Sequence, residues 1–378
     1  MRSLRVPWGQ SSQRIVVVCM LHHAAMSGAR TVLPLLALQG GGSPSMAGAL
    51  IAVQALAPAM LSLPIAALIE RWGARCVAAW GLVLSAGLLL GGGLAGGIVV
   101  RFVLAAGVGV GYSMTAISAQ RVLGQCLAAG DARAYERFSL ATALSACGGP
   151  LVAGAALAVG GEAACLIGLG GLALAAWVLL AVAWPAGPMR APRPRAGAVR
   201  APLGAGVWAV LAAETVISVS WNALATLVIL RAHAEAWPAA QLTLVVSLLG
   251  LGVLLARLLG PRLLPRVAEA TLVRLSMAAA MLGLLSFAGR WPWWVHAVAQ
   301  TVAGMGLGLS LSPVLSLLHQ RSNPSAHTRT LAVRHLMLHG CAVAGPALLG
   351  VAVGAIGMAP TCVAMVAVAL AAALTIRL

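Results

Sequence analysis

The sequence has no lysine and only seven acidic residues, Asp131 and six glutamates, in a chain of 378 residues. Charged residues make up 8% of the chain and hydrophobic residues 61%. Soluble globular domains have about 25% charged and 45–50% apolar residues, so this composition excludes a soluble globular protein. It also excludes a disordered chain, because disordered chains are poor in apolar residues. The sequence is therefore typical of a polytopic membrane protein.

All 24 basic residues are arginine, and they give the chain a formal net charge of +17. A strongly basic protein is a candidate for nucleic-acid binding. Here, however, the arginines lie between long apolar runs and not on one polar face, so no nucleic-acid partner is expected. The seven cysteines show no metal-ligand spacing and fall mostly inside apolar runs, where they act as small apolar residues. We expect no metal, cofactor or disulfide.

Twelve apolar runs are long enough to cross a bilayer as helices, which takes roughly 20 residues each. These predicted spans are 15–38, 46–69, 76–96, 98–119, 138–160, 163–184, 206–230, 239–259, 271–289, 294–318, 331–354 and 356–376. Turn-forming residues separate the spans, for example at 40–44 and 290–292. The first run is too long for the apolar part of a cleavable signal peptide, so it is expected to be retained.

The arginines predict the orientation of the chain in the membrane. If the N-terminus is cytoplasmic and the chain crosses twelve times, 20 arginines fall on the inner side. Two, Arg231 and Arg290, fall outside, and two, Arg30 and Arg101, lie within spans. This asymmetry follows the positive-inside rule. We therefore expect an all-α membrane protein with twelve transmembrane helices and both termini in the cytoplasm.

The sequence repeats itself on either side of a basic, proline-rich segment at 185–205. Three patterns recur in the same order: spaced glycines at 107–111 and 304–308, a Gly-Pro motif at 149–154 and 345–350, and an Arg-Gly turn at 68–75 and 255–262. Such parallel repeats are found in transporters that are built from two similar halves. The sequence predicts one six-helix half at 1–184, a cytoplasmic linker at 185–205 and a second six-helix half at 206–378.

Residues 66–75, AALIERWGAR, resemble the loop signature of the major facilitator superfamily, G-x-x-x-D-R-x-G-R-R/K. The match keeps Arg71, Gly73 and Arg75 and has Glu70 in place of the aspartate. The resemblance implies the major-facilitator fold, alternating access between the two halves, and a cytoplasmic gating loop made by these four residues.

Two further motifs carry the same resemblance. Arg101 is similar to the arginine of the family's helix-four pattern, and residues 145–154 resemble the helix-five pattern of proton-driven exporters. Small residues let helices pack closely, and a proline allows a membrane helix to bend. Residues expected to pack and bend the fifth and eleventh helices are Gly149, Pro150, Gly154, Gly345, Pro346 and Gly350.

Polar side chains inside the spans are candidates for the transport site. An ionisable group in the membrane costs about 2.5–3.5 kcal/mol by insertion scales, so it normally faces a cavity or a partner. The resembled fold lines its central cavity with helices one, four, seven and ten, and these spans carry ionisable or amide side chains here. Helices three, six, nine and twelve, which face lipid in that fold, have no ionisable group in their interiors. The predicted substrate cavity comprises His23, Arg30, Arg101, Trp221, Asn222 and Gln300.

Glu214 is the single acid within a predicted span, and it lies at a depth similar to that of His22 and His23. Histidine titrates near neutral pH. The hypothesis is that Glu214 and one of these histidines form a proton-responsive pair. The alternative is a permanent structural contact, with the histidine bonded to a backbone carbonyl. For Arg101 the alternative is a side chain that snorkels to the membrane interface.

These observations favour a secondary transporter that exports small organic molecules in exchange for protons, as in drug or metabolite efflux. A proton-coupled importer of an organic anion is the alternative, supported by Arg30, Arg101 and the scarcity of acids. An enzyme, such as a membrane transferase, is not expected, because the sequence shows no nucleophile or metal motif and no loop beyond roughly 20 residues. No phosphate-binding loop indicates ATP-driven transport. The arginine- and alanine-rich composition suggests a bacterial inner membrane. We expect a monomer whose partners are a small-molecule substrate, protons and the lipid bilayer.

Overall fold

The computed structural model describes residues 8–128, 131, 133–184, 203–263, 266–322 and 327–376, so most of the predicted linker lies outside the described residues. Within these ranges the chain forms eleven helices and no strand. The helices are α1 (Trp8–Gln39), α2 (Pro44–Trp72), α3 (Ala74–Gly92), α4 (Ile98–Ala128), α5 (Ala134–Ala183), α6 (Ala205–Ala234), α7 (Ala239–Leu263), α8 (Glu269–Ser286), α9 (Trp293–Arg321), α10 (His327–Ile356) and α11 (Met358–Thr375).

Each of the eleven helices contains a segment long and apolar enough to cross a membrane. The prediction of an all-helical membrane protein is thereby confirmed. Ten of the twelve predicted spans correspond to a helix of their own, whereas spans five and six both fall within α5. From α6 onward the helix number is therefore one lower than the span number. The count of twelve crossings and the orientation of the termini stay predictions.

The long helix α5 is interrupted at Gly160 and Gly161, between predicted spans five and six. Gly160 has φ −139° and ψ 17°, and Gly161 has φ 69° and ψ −161°, both far from helical values. The positive φ of Gly161 is a conformation that favours glycine. A straight helix of 50 residues would measure about 75 Å, against a hydrocarbon core of roughly 30 Å. The break divides α5 into two lengths that each suit a membrane.

Packing divides the chain into two compact units, which are described separately. Unit 1 comprises Met1–Leu33 with Val53–Pro192, and unit 2 comprises Pro34–Ala52 with Arg193–Leu378. In unit 1, α3 packs against α4 and α5; in unit 2, α9 packs against α7 and α8. The predicted halves at 1–184 and 206–378 stay a prediction.

One close helix contact occurs in the same form in both units. In unit 1, a Cβ atom added to Gly109 of α4 would lie 2.2 Å from the carbonyl oxygen of Gln54 in α2. In unit 2, a Cβ atom on Gly304 of α9 would lie 2.2 Å from the carbonyl oxygen of Leu249 in α7. Only glycine permits such an approach of two backbones. Gly304 lies 195 positions after Gly109, and Leu249 lies 195 positions after Gln54. The glycine patterns at 107–111 and 304–308 are 197 positions apart, so an alignment based on this contact differs by two residues from one based on the sequence patterns.

Candidate functional site

A buried ion pair between Glu214 and Arg334 joins α6 to α10 in unit 2. Glu214 lies nine residues into α6, which is about 14 Å along the helix axis. The Arg334 guanidinium donates three hydrogen bonds to the Glu214 carboxylate, from Nε to both oxygens at 2.9 Å and from Nη2 to Oε1 at 2.5 Å. Only 9% of each side chain is exposed. Forked, charge-assisted pairs of this kind are among the strongest polar contacts in proteins.

Further titratable groups of α10 lie around this ion pair. Cys341 lies near Ser218 of α6 and close enough to Glu214 to interact with its charge. His335 follows Arg334 directly, and its ring stacks on that of His339 with 6.2 Å between the ring centroids. The thiol of Cys341 therefore lies close to the ion pair, whereas His335 is exposed and its ring contacts His339.

Arg334 is a residue that the sequence analysis missed. The charge count assigned it to a cytoplasmic segment, whereas the structure places it inside α10 with 7% of the residue exposed. The available signal was its position within the predicted span 331–354, combined with the need of the buried acid Glu214 for an opposite charge. The proposed pairing of Glu214 with His22 or His23 stays a prediction.

The two histidines of α1, His22 and His23, contact side chains of α3 and α4 within unit 1. His22 is fully buried, and its Nε2 lies 2.9 Å from the hydroxyl oxygen of Ser85 in α3. The ring of His23 lies 5.2 Å from that of Tyr112 in α4. Arg30 lies two turns further along α1 and is partly exposed. The Ser85 contact favours the structural alternative for His22, with a hydroxyl in place of the expected backbone carbonyl.

Arg101, predicted to line the cavity, forms an ion pair with Glu162 in unit 1. Its Nη2 lies 2.9 Å from Oε2, and its Nε lies 3.3 Å from Oε1. Glu162 follows the break in α5 directly, and the two side chains are 13% and 32% exposed. The sequence analysis did not single out Glu162, because it falls between two predicted spans. The contact favours a role for Arg101 in holding α4 against α5.

Two predicted cavity residues of unit 2, Asn222 and Gln300, donate hydrogen bonds to the backbone of α6. Asn222 is buried, and its Nδ2 donates to the Ser218 carbonyl one turn earlier at 2.8 Å. Gln300 of α9 is fully buried and donates from Nε2 to the Leu224 carbonyl at 3.3 Å. Trp221 is partly exposed on α6. Gln300 thus fixes α9 to α6, and Trp221 is the side chain of this group with an aromatic surface available for contact.

The turn of the loop signature is formed by Gly73, which ends α2 and precedes α3. Its φ of 85° lies in the left-handed region, which is costly for residues with a Cβ atom. The Arg71 guanidinium carbon lies 6.0 Å from the centre of the Trp72 ring, a cation–π distance. The left-handed backbone conformation therefore explains why the signature has glycine at position 73, and Arg71 covers the ring of Trp72.

The other two signature residues tie this loop to neighbouring helices of unit 1. The Glu70 carboxylate lies 3.9 Å from the guanidinium of Arg121 in α4. Arg75 donates from Nη2 to the carbonyl oxygen of Ala181, near the C-terminal end of α5, at 2.7 Å. A cation at a helix C-terminus is favoured by the helix dipole. These contacts link the loop to α4 and α5 within unit 1, and its gating role stays a prediction.

The Gly-Pro motif of α5 lies at a tight contact with α1 in unit 1. A Cβ atom on Gly149 would lie 2.4 Å from the Ala24 carbonyl oxygen, and one on Gly28 would lie 2.9 Å from the Gly149 oxygen. Pro150 lies inside α5, and Gly154 is buried one turn later. Gly149 therefore allows α1 and α5 to approach closely, as the sequence predicts for small residues at this position.

The corresponding motif of α10 packs differently. A Cβ atom on Gly345 would lie 3.9 Å from the Cβ of Asn222, an ordinary contact. Gly350 approaches the part of α2 that belongs to unit 2, where an added Cβ would lie 2.4 Å from the Pro44 carbonyl oxygen. The Pro346 carbonyl oxygen would lie 2.2 Å from a Cβ on Gly48 of the same segment. The closest approaches of α10 therefore involve Pro346 and Gly350, while Gly345 has room to spare.

Comparisons with known proteins agree with this architecture. The sequence pattern of the Major Facilitator Superfamily matches residues 15–289. Among curated proteins, a sequence search finds no significant match.

Solved structures with a similar fold include three transporters. The peptide transporter POT, in complex with sulfate, has a TM-score of 0.75 and 16% identity, over 98% of this chain and 95% of that protein. The nucleoside transporter NupG has a TM-score of 0.71 and 14% identity, over 97% and 98%. A bacterial homologue of the human lysosomal transporter Spinster has a TM-score of 0.71 and 14% identity, over 96% and 94%. On the strength of the pattern match, which spans more than half of its length, the chain belongs to the Major Facilitator Superfamily.

Proposed function

We propose that this protein is a proton-coupled secondary transporter that moves a small organic molecule across the bacterial inner membrane by alternating access. Family membership and fold support a membrane transporter over an enzyme. Glu214 is proposed as the proton-binding group, and Arg334 as the group that responds to its charge. His23, Arg30 and Trp221 are proposed to contact the substrate.

The observation that carries the proposal is a difference between equivalent positions of the two units. The first helix of each half and its Gly-Pro helix, α1 with α5 and α6 with α10, are close at corresponding places. Ser145 donates to the Met20 carbonyl in unit 1, and Cys341 lies near Ser218 in unit 2. When Met20 is aligned with Ser218, the counterpart of Glu214 is Val16. When Ser145 is aligned with Cys341, the counterpart of Arg334 is Phe138. Val16 belongs to the apolar core of unit 1, and Phe138 is partly buried and packs against that core.

Energetics indicate that the ion pair has a role beyond packing. Removing two charges from water costs several kcal/mol per ion, and apolar replacements of a buried ion pair are often neutral or stabilising. Unit 1 shows that apolar side chains can occupy these positions. A proton that binds Glu214 removes its charge and releases Arg334, and such a local charge change can bias a two-state element.

Two directions of transport are compatible with this role. Export in exchange for protons is the hypothesis that follows from the exporter-like motif of α5. Import of an organic anion together with protons is the second candidate, and the pairing of the acids favours it. Five of the seven acids form ion pairs with arginine, so an organic cation would have to compete with a guanidinium for them.

Sealed proteoliposomes that contain a pH indicator test this function. Tetraphenylphosphonium and ethidium serve as cationic probes, and benzoate and succinate serve as anionic probes. We expect one probe class to trigger proton movement in the wild type and in Glu136→Gln, a control at an exposed acid, but not in Glu214→Gln. Proton flux opposite to the probe indicates export, and flux in the same direction indicates import. Equal fluxes in Glu214→Gln and wild type, or no flux with any probe, would contradict the proposal.

A further inference from the structure

We propose that Arg334 is the binding group for a carboxylate on the substrate, and that Glu214 occupies this group when substrate is absent. The inference rests on the proposed function and adds the substrate class and the residue that recognises it. The proton and the anionic substrate then act together on the Glu214–Arg334 ion pair. The proton neutralises the Glu214 carboxylate, and the substrate carboxylate takes its place on Arg334.

The geometry of Arg334 is that of an occupied carboxylate receptor. Its Nε and Nη2 both donate to one carboxylate group, at 2.5–2.9 Å. The planar guanidinium fork matches carboxylates specifically, and Lys does not reproduce this geometry. Because the group already bound there is a carboxylate, a substrate carboxylate can form the same hydrogen bonds in its place.

The pairing of Glu214 with Arg334 disfavours a cationic substrate group at this position. Glu214 is the acid that an organic cation would need here, and its two oxygens accept three hydrogen bonds from Arg334. A cation would leave the Arg334 guanidinium buried without a counter-ion, which is strongly unfavourable. An anion instead replaces the negative charge that Glu214 loses on protonation, so the net charge of the site is conserved.

Charge balance sets the stoichiometry of this exchange. One proton from solution binds a Glu214 oxygen, the ion pair opens, and one substrate carboxylate binds Arg334; release reverses these steps. A monocarboxylate that moves with one proton carries no net charge, so its transport responds to a pH gradient and not to membrane potential. Two other titratable groups of α10 interact with the charges of the pair, Cys341 with Glu214 and His335 with Arg334, and the ring of His339 stacks on that of His335.

Binding to the purified full-length protein in detergent tests the inference. The probes are two series of similar shape and different charge: benzoate, benzamide and benzylamine, and succinate, succinamide and 1,4-diaminobutane. The readout is the shift of the unfolding midpoint Tm at neutral and at mildly acidic pH. For the wild type we expect the carboxylates alone to raise Tm, and to raise it more at the acidic pH, where more protein carries a proton on Glu214.

The variants separate the two roles. In Glu214→Gln the carboxylate-induced shift should be as large at neutral pH as at acidic pH, because the internal competitor has no charge. In Glu214→Gln/Arg334→Gln the shift should be lost at both pH values. Glu235→Gln is the matched control, since it alters another acid of unit 2 that is paired with an arginine, Arg231. It should keep the wild-type response.

Three results would overturn the inference: Tm shifts with the amines but not the carboxylates, no shift with any carboxylate, or an equal carboxylate shift in the double variant. The proposed function can fail separately. If proton flux depends on Glu214 but carboxylates do not bind, only the inference is wrong. If carboxylates bind through Arg334 but no proton flux follows, only the proton coupling is wrong.

Discussion

The contact between α1 and α5 in unit 1 and the contact between α6 and α10 in unit 2 are stabilised by different interactions. In unit 1, α1 and α5 approach through Gly149, which faces the Ala24 carbonyl, and their ends lie in an apolar core. In unit 2, Gly345 leaves room next to Asn222, and α6 and α10 are joined by the Glu214–Arg334 ion pair. Close packing defines the first contact and charge defines the second.

This difference separates structural from functional parts of the molecule. Backbones in van der Waals contact have few alternatives to their observed packing, because protein interiors are densely filled. A forked ion pair has two discrete states, closed when both groups are charged and open when one is neutral. We therefore expect unit 1 to be sensitive to the size of side chains at this contact, and unit 2 to be sensitive to their charge.

The largest expected effect is on the ion pair itself. Arg334→Phe, which introduces the unit 1 residue type, should lower the stability of the protein by about 3–5 kcal/mol, because it leaves a buried carboxylate unpaired. Glu214→Val/Arg334→Phe should restore the stability to the wild-type value or above it. Thermal unfolding in detergent measures both variants. A double variant as unstable as the single one would show that the ion pair is needed for packing.

A smaller effect is expected at the tight contact of unit 1. Gly149→Ala adds a methyl group 2.4 Å from the Ala24 carbonyl oxygen and should destabilise the protein by about 1–3 kcal/mol, as is usual for overpacking. Gly345→Ala meets its nearest neighbour at 3.9 Å and should be tolerated.

Gly148 provides the control for this comparison, because nothing lies within 4 Å of an added Cβ atom there. Gly148→Ala should leave Tm unchanged or raise it, since alanine is favoured over glycine within helices by about 0.5–1 kcal/mol. Equal Tm values for Gly149→Ala and Gly148→Ala would remove the contrast between the units at this contact.

The smallest effect is expected for the partly exposed Arg101–Glu162 ion pair of unit 1. Arg101 and Glu162 are 13% and 32% exposed, so water screens their attraction. Glu162→Gln should lower stability by about 1 kcal/mol or less and should leave proton flux unchanged. A loss of flux in this variant would show that coupling also involves unit 1.

The helices were predictable from the sequence because long apolar runs impose them. Spans such as 206–230 and 294–318 agree with α6 and α9 to within a few residues at most ends. Predicted spans five and six form the two parts of α5, which the non-helical backbone angles of Gly160 and Gly161 separate.

The site was only partly predictable. Glu214 was identified because a lone acid in an apolar run is costly. Its partner was not, because Arg334 lies near the start of a span, where arginines usually face water and count towards the positive-inside rule. The contacts of Glu162 with Arg101 and of Ser85 with His22 join residues more than 60 positions apart. Helical periodicity describes one helix at a time, so it does not show which helix supplies the partner.

The most direct test of the functional role of the ion pair is probe-induced proton flux in proteoliposomes that contain Glu214→Val/Arg334→Phe. The account predicts that this variant folds with a Tm at or above that of the wild type and shows no proton flux with any probe that is active in the wild type. Proton flux at the wild-type rate in a folded double variant would contradict it, because the ion pair would then be dispensable for both stability and coupling.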